Sequence, residues 1–157
     1  MQAVARRHAS AFNRRYQRTG GLWEGRFRAA VIEPESWLLK CMVHVEQLTP
    51  KDVPLETRSA VQYTWSSRRG HFGQGVDPLL TDPTEYWSLG NTPFEREAAY
   101  RALFEQALTT FERDKIGETL KGGGVLGRSA FVEKLRQGAG RPARPRPRGR
   151  PRKILAA

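Results

Sequence analysis

The residues of this chain best suited to chemistry are arginines that stand close to an aromatic side chain near the N-terminus. Arg14, Arg15 and Arg18 come at the end of a helical pattern, on neighbouring turns, and Trp23 follows a pair of glycines that ends the helix. Guanidinium groups bind phosphate oxygens, and planar rings stack on unpaired bases. The combination predicts a surface that holds a nucleic-acid strand. An alternative interpretation is a solvated helix end with Trp23 in the hydrophobic core.

Two further stretches mix cations with aromatic residues. Arg26 and Arg28 alternate with Phe27, as the exposed face of a short strand would. Residues 62–69 carry Tyr63 and Trp65 beside two arginines, Arg68 and Arg69, which makes this a second candidate DNA-facing segment. In the alternative interpretation of that segment, Trp65 covers a small core.

The positive charge is concentrated at the two ends of the chain. The protein has a net charge of +11; residues 136–157 hold seven arginines and one lysine with no acid, and residues 1–28 hold seven arginines against one glutamate. The residues between them therefore carry a net charge of −3. This division is typical of a protein that meets a polyanion with particular parts of its surface.

Length and composition indicate one modest domain. The chain has 157 residues, of which 38% are hydrophobic, a low share for a fully packed globule. Its one cysteine, Cys41, excludes an intrachain disulfide and is expected to be a small buried group. We find no apolar stretch near the ~18 residues of a membrane span and no signal-peptide pattern. A cytoplasmic, nucleoid-associated protein is therefore expected.

Hydrophobic periodicity predicts a mainly α fold with one or two short strands. A helix is expected over residues 3–18, a strand over 26–32, and a helix that Ser36 caps and that buries a stripe from Trp37 to Leu48. After an irregular connector with a short helix at 55–61, Thr92 and Glu95 predict a capping box that starts a helix reaching residue 111. Two short helices are expected around the glycines at 122–124.

The C-terminal residues are too polar to bury a core and are expected to be disordered alone. Arg148, Gly149, Arg150 and Pro151 resemble the centre of an AT-hook, in which glycine lets the backbone lie in the minor groove of A·T-rich duplex. The alternative is a tail that binds phosphates without sequence preference.

Several segments together resemble the REP-associated tyrosine transposases of the HUH single-tyrosine superfamily. The strongest are FNRRYQRTGGLWEGRF at 12–27 and the WSS triplet at 65–67, and weaker similarity runs through most of the chain. The resemblance implies an α+β ferredoxin-like domain that binds single-stranded or hairpin DNA. It also implies cleavage by a tyrosine with a divalent metal, such as Mg²⁺, on the scissile phosphate.

The residues of the family's chemistry are missing at the matching positions. No two of the three histidines, His8, His44 and His71, are spaced as the His-hydrophobic-His metal pair. Without a gap, His44 stands where the family has its tyrosine and Leu48 where it has a ligand asparagine; the other alignment places Val45 and Thr49 there. We therefore expect no catalytic residue, no metal ligand and no cofactor in this chain.

These patterns lead to one functional hypothesis and two alternatives. The hypothesis is a DNA-binding protein of the transposase family without strand cleavage of its own; the alternatives are an active nickase whose catalytic part lies upstream, and a nonspecific basic DNA-binding remnant. Expected units are a truncated transposase-like domain (1–50), a connector (51–91), a helical region (92–135) and a tail (136–157). A strand without a partner would favour a homo-oligomer. The predicted DNA-contacting residues are Arg14, Arg15, Arg18, Trp23, Arg26, Arg28, Trp65, Arg68, Arg69, Arg144, Arg146, Arg148, Gly149, Arg150, Arg152 and Lys153.

Overall fold

The computed structural model describes residues 1–25, 27–48 and 66–139, and these are mainly helical. The helices are α1 (Gln2–Arg15), α2 (Leu39–Gln47), α3 (Arg68–His71), α4 (Thr84–Trp87), α5 (Pro93–Gln106), α6 (Thr110–Gly122) and α7 (Ser129–Ala139), and the strands are β1 (Val31–Ile32) and β2 (Val125–Leu126). The mainly α class with short strands is thus confirmed. In the described ranges, none of the helices combines the length and apolar character needed to cross a bilayer. The helix expected at 55–61 lies outside these ranges.

The start of α5 follows the sequence prediction. The Thr92 side chain accepts a hydrogen bond from the Glu95 amide, and the Glu95 carboxylate accepts one from the Thr92 amide, which completes the capping box. The predicted extension to residue 111 is wrong, because the helix ends at Gln106 and Ala107 takes a positive φ of 56°. A second capping box, between Thr109 and Glu112, starts α6. Each box satisfies helix amides that would otherwise lack partners.

The start of α2 differs from the prediction and changes which residues are buried. Ser36 does not cap it: a π-helical turn over Pro34–Leu38 precedes α2, and the Ser36 hydroxyl donates to Glu33 instead. A π-helical turn has i→i+5 hydrogen bonds, so it alters the phase of the side chains that follow. Val45 and Leu48, expected in the core, are each 64% exposed. The buried residues of α2 are Val43 and Glu46.

The strand β1 has a partner that the sequence did not indicate. It pairs in parallel with β2, with Val31 opposite Val125 and Ile32 opposite Leu126. The expectation of a strand without a partner is therefore wrong. The two helices expected around the glycines at 122–124 are present as α6 and α7, with β2 between them. Within the described part of the expected 26–32 strand, only Val31–Ile32 is extended in a sheet. Pairing within the chain removes the argument for a homo-oligomer that depended on an unpaired strand.

One hydrophobic core joins the described parts of three predicted units. Its buried residues are Trp37, Val43, Phe72, Tyr86, Tyr100, Leu108, Ile116 and Leu126. They come from the first unit, the connector and the helical region, so these parts fold together. Helix α1 contributes no buried residue. Helix α7 continues to Ala139, past the boundary predicted at residue 135.

Hydrogen bonds to the Glu33 side chain connect the beginning of α7 to the end of β1. Its carboxylate accepts hydrogen bonds from the Arg128 amide at 2.7 Å and from the Arg128 Nε at 2.9 Å. Arg128, with Ser36, lowers the pKa of the Glu33 carboxyl from 4.5 to about 2. The carboxylate is therefore stabilised as an anion at the N-terminus of a helix, where negative charge is favourable.

We predict that Glu33→Gln lowers the free energy of unfolding at pH 7. Since the folded pKa lies below the unfolded one, the contribution of Glu33 is complete above about pH 4.5 and is lost as the pH falls through about 2. Urea unfolding of wild type and variant should therefore give curves that converge on acidification. Glu105→Gln, at an exposed position, is the control. A difference between wild type and Glu33→Gln that persists unchanged at about pH 2.5 would contradict the assigned role.

Candidate nucleic-acid interface

Four arginines of α1 lie on one side of the helix. Arg6, Arg7, Arg14 and Arg15, with Ser10 and Ala11 between them, line one open depression of the surface. Positions separated by four and eight residues fall on the same helix face, and the two arginine pairs are about 12 Å apart along the axis. We call these four arginines the arginine face. Its first pair, Arg6 and Arg7, was not among the predicted DNA-contacting residues.

The charge of the arginine face is not offset by nearby acids. Helix α1 contains no aspartate or glutamate, and all four arginines are exposed. Among the ion pairs formed by described residues, none involves an α1 side chain. Two of the four, Arg14 and Arg15, stand in the last helical turn, where cations suit the helix dipole. The helix therefore presents a concentrated positive surface to solvent.

The opposite side of α1 is partly covered by the segment that follows it. Gly20 adopts a φ of +95°, and its carbonyl accepts a hydrogen bond from the Asn13 side chain at 3.0 Å. The chain then returns, so that Trp23 lies with its ring 5.8 Å from that of His8 and its Nε1 3.3 Å from the Ala5 carbonyl. The glycine turn thus places Trp23 against α1 and not in the hydrophobic core.

Three aromatic residues at the end of α1 and in the segment that follows it remain largely accessible. Tyr16, Trp23 and Phe27 are 56%, 55% and 62% exposed. The guanidinium of Arg15 lies 5.8 Å from the Tyr16 ring, and that of Arg18 lies 5.8 Å from the Phe12 ring. Exposed rings next to guanidinium groups are the two elements with which proteins hold a single strand, through stacking and phosphate contact.

Arg28 and Arg69 are also exposed, whereas Arg68 is not. Arg28 donates to the Lys121 carbonyl at 3.4 Å. Arg68 is only 4% exposed, and its guanidinium lies 4.9 Å from the Phe104 ring. Burial lowers the pKa of Arg68, while the charge of Glu46 opposes that effect. The expectation that Arg68 faces DNA is therefore corrected, because its charge is directed into the core.

The remaining predicted contacts lie outside the described residues. They are Arg26, Trp65, Arg144, Arg146, Arg148, Gly149, Arg150, Arg152 and Lys153.

A buried polar cluster around Glu46 was missed at the sequence level. The Glu46 Oε1 accepts a hydrogen bond from the Ser67 hydroxyl and lies 2.6 Å from the His71 Nδ1, and its Oε2 accepts from the Tyr100 hydroxyl at 2.9 Å. On the other side of its ring, His71 has its Nε2 3.4 Å from Asp82. We call Glu46, Ser67, His71, Asp82 and Tyr100 the Glu46 cluster.

The Glu46 cluster is suited to holding the fold together. Glu46, His71 and Tyr100 are buried, and burial, followed by the charge of Glu46, raises the pKa of the Tyr100 phenol well above its usual value. A phenol that is closed to solvent and held protonated is a poor nucleophile. The cluster joins α2, α3 and α5 with hydrogen bonds that satisfy a buried carboxylate. The sequence gives one indication of the cluster, because Glu46 follows Val43 by three residues and so lies near it on the helix. A glutamate on a solvated helix face would have the same spacing, so this indication is not specific.

His44, which stands in the place of the family's tyrosine, is a partly buried residue of α2. Burial, with the charge of Arg113, lowers the pKa of its imidazole. A lowered pKa favours the neutral ring, which disfavours a role in binding phosphate. Among the described residues, no group of three or more His, Cys, Asp or Glu side chains is arranged to hold a metal ion.

The chain was compared with models of known protein families, with curated proteins and with solved structures. None of them matches it.

Proposed function

We propose that the protein binds single-stranded or hairpin DNA and does not cleave it. The observation that carries this proposal is the arginine face of α1 together with the exposed ring of Tyr16, which lies 5.8 Å from the Arg15 guanidinium. Trp23 and Phe27 are further exposed rings in the segment that follows α1. Phosphates neutralise the four guanidinium groups and release counterions, which supplies affinity. The rings accept unpaired bases, which supplies the preference for single strands and loops over duplex.

The resemblance to REP-associated tyrosine transposases supports the same ligand class. The segment that carries the resemblance, residues 12–27, contains the end of the arginine face and the turn that positions Trp23. In this proposal, β1 and α2 correspond to part of the family's ferredoxin-like domain, and the helices after residue 92 correspond to its C-terminal extension. Tyr86 and Tyr100 are buried, and neither is placed to attack a bound phosphate.

The test is a fluorescence-anisotropy titration with three probes of equal length: a palindromic single-stranded hairpin, its scrambled counterpart and a duplex. The expected result is tighter binding of the single-stranded probes, with an affinity that falls as salt rises. Equal affinity for all three probes at each salt concentration would contradict the proposal. Incubating the hairpin with protein and Mg²⁺ tests cleavage, and a covalent protein–DNA adduct would contradict the proposal that this chain does not cleave DNA.

A second candidate function is nonspecific binding through the C-terminal residues. Residues 136–157 hold eight cations and no acid, which favours this alternative. Because α7 continues to Ala139, the appropriate truncation retains residues 1–139. If the truncated protein still binds the hairpin more tightly than the other probes, the N-terminal surface is responsible for recognising the hairpin. Loss of all binding would assign the activity to the basic tail.

A further inference from the structure

We propose that the DNA-binding surface continues from the N-terminal segment onto the end of α6, where Lys121 contacts the phosphate backbone. This inference depends on the proposed function, because it concerns the path of the same bound strand. Nothing in the sequence places Lys121 near Arg28, from which it is separated by 93 residues of chain.

Residues 28–31 run alongside residues 121–124. The Arg28 Nη1 donates to the Lys121 carbonyl at 3.4 Å, and the Val31 amide donates to the Gly124 carbonyl at 3.1 Å. Between these contacts, Gly123 adopts a φ of +65° and ends the helix. A side-chain carbon built on Gly123 would lie 3.8 Å from the Ala29 carbonyl. The end of α6 is therefore held directly beside the segment that carries Phe27 and Arg28.

The contact with Arg28 changes the electrostatic character of this helix end. A helix C-terminus carries partial negative charge on its carbonyl groups and would repel a phosphate. Here a guanidinium donates to one of those carbonyls, and Lys121 itself stands in the last turn, exposed to solvent. None of the ion pairs between described residues involves Arg28 or Lys121.

Phe27 adds an exposed aromatic ring next to Arg28. Its ring is 62% exposed and immediately precedes Arg28 in the chain. In this inference, a DNA strand that is bound by the N-terminal segment passes Phe27 and then reaches Arg28 and Lys121, which lie next to each other. The nearest acid along α6 is Glu118, one turn before Lys121 and also exposed, so it would repel a backbone that follows this path.

The experiment compares single-charge variants by anisotropy with the hairpin probe over a series of salt concentrations. Lys121→Gln should reduce the slope of log affinity against log salt by about 0.7, which corresponds to about a five-fold loss of affinity at 0.1 M salt. Glu118→Gln should raise the affinity. Lys134→Gln, which removes an equal charge from an exposed position on α7, is the matched control and should stay at the wild-type value.

The outcomes separate this inference from the proposed function. If wild-type protein binds the hairpin but Lys121→Gln and Lys134→Gln lose the same amount of affinity, the proposed contact between Lys121 and DNA is contradicted. The proposal that α1 binds DNA is not affected by that result. If the wild type shows no preference for single-stranded probes, the proposed function fails, and the extension fails with it. Circular dichroism of each variant checks that the helices are retained, as expected for exposed side chains.

Discussion

Replacing Tyr100 by alanine should lower the free energy of unfolding by about 3–5 kcal/mol, the largest stability change we expect from a single substitution. Tyr100 is 0% exposed, and its ring lies 5.0 Å from that of His71 and 5.5 Å from that of Tyr86. The substitution creates a cavity and removes the hydroxyl that donates to Glu46. Because a whole domain is stable by only about 5–15 kcal/mol, this loss should be plain in urea unfolding at pH 7.

Two companion variants separate the cavity from the hydrogen bond. Tyr100→Phe keeps most of the volume but leaves a buried carboxylate oxygen without this donor, at an expected cost of about 1–3 kcal/mol. Phe94→Ala removes an aromatic ring from the same helix at a position that is 82% exposed, and should cost less than about 0.5 kcal/mol. Equal unfolding midpoints for Tyr100→Ala and Phe94→Ala would show that the Glu46 cluster does not stabilise the fold.

Replacing all four arginines of the arginine face by glutamine should nearly abolish binding of the hairpin probe. If each guanidinium contacts one phosphate, the slope of log affinity against log salt falls by up to about 2.8, which corresponds to several hundred-fold weaker binding at about 0.1 M salt. Anisotropy titrations at several salt concentrations measure both quantities. The effect should be similar in the 1–139 truncation, because it arises from α1.

A charge-matched pair of double variants controls for net charge. Arg14→Gln with Arg15→Gln removes two charges from the arginine face, and Lys134→Gln with Arg136→Gln removes two from α7. Only the first should weaken binding strongly. If both double variants lose affinity equally, binding depends on the overall charge of the protein, and the arginine face has no special role.

Stability and binding are expected to be separable in this protein. Helix α1 has no buried residue, so substitutions on its arginine face remove no core contact and should leave the unfolding midpoint near that of the wild type. Glu46, His71 and Tyr100 are buried and are distant in sequence from α1, so variants at these positions should act on folding. If variants of the arginine face and variants of the Glu46 cluster each changed both DNA binding and stability, this separation of the two surfaces would be contradicted.

Features that depend only on neighbouring residues could be predicted from the amino-acid sequence. The capping box of Thr92 and Glu95 follows from short-range hydrogen bonds, which are the same wherever the segment lies. The turn at Gly20 follows from the backbone preference of glycine, but α1 ends at Arg15 and not at residue 18 as expected. The concentration of arginine near the N-terminus and the mainly helical class were likewise evident. The capping box of Thr109 and Glu112 had the same local pattern, so the break between α5 and α6 was predictable in principle.

Contacts between elements that are distant in the chain determine which of these residues face solvent and which are buried. The sequence pattern of Arg68 is that of a surface cation, but the packing of α3 against Phe104 encloses it. Glu46 and His71 are 25 residues apart in the chain but are in contact in the core. Strand β1 pairs with β2, which lies 94 residues later in the chain. Such pairings depend on how distant segments close on each other, and their energy comes from burial and hydrogen bonding between elements. No local pattern of residue types contains that information.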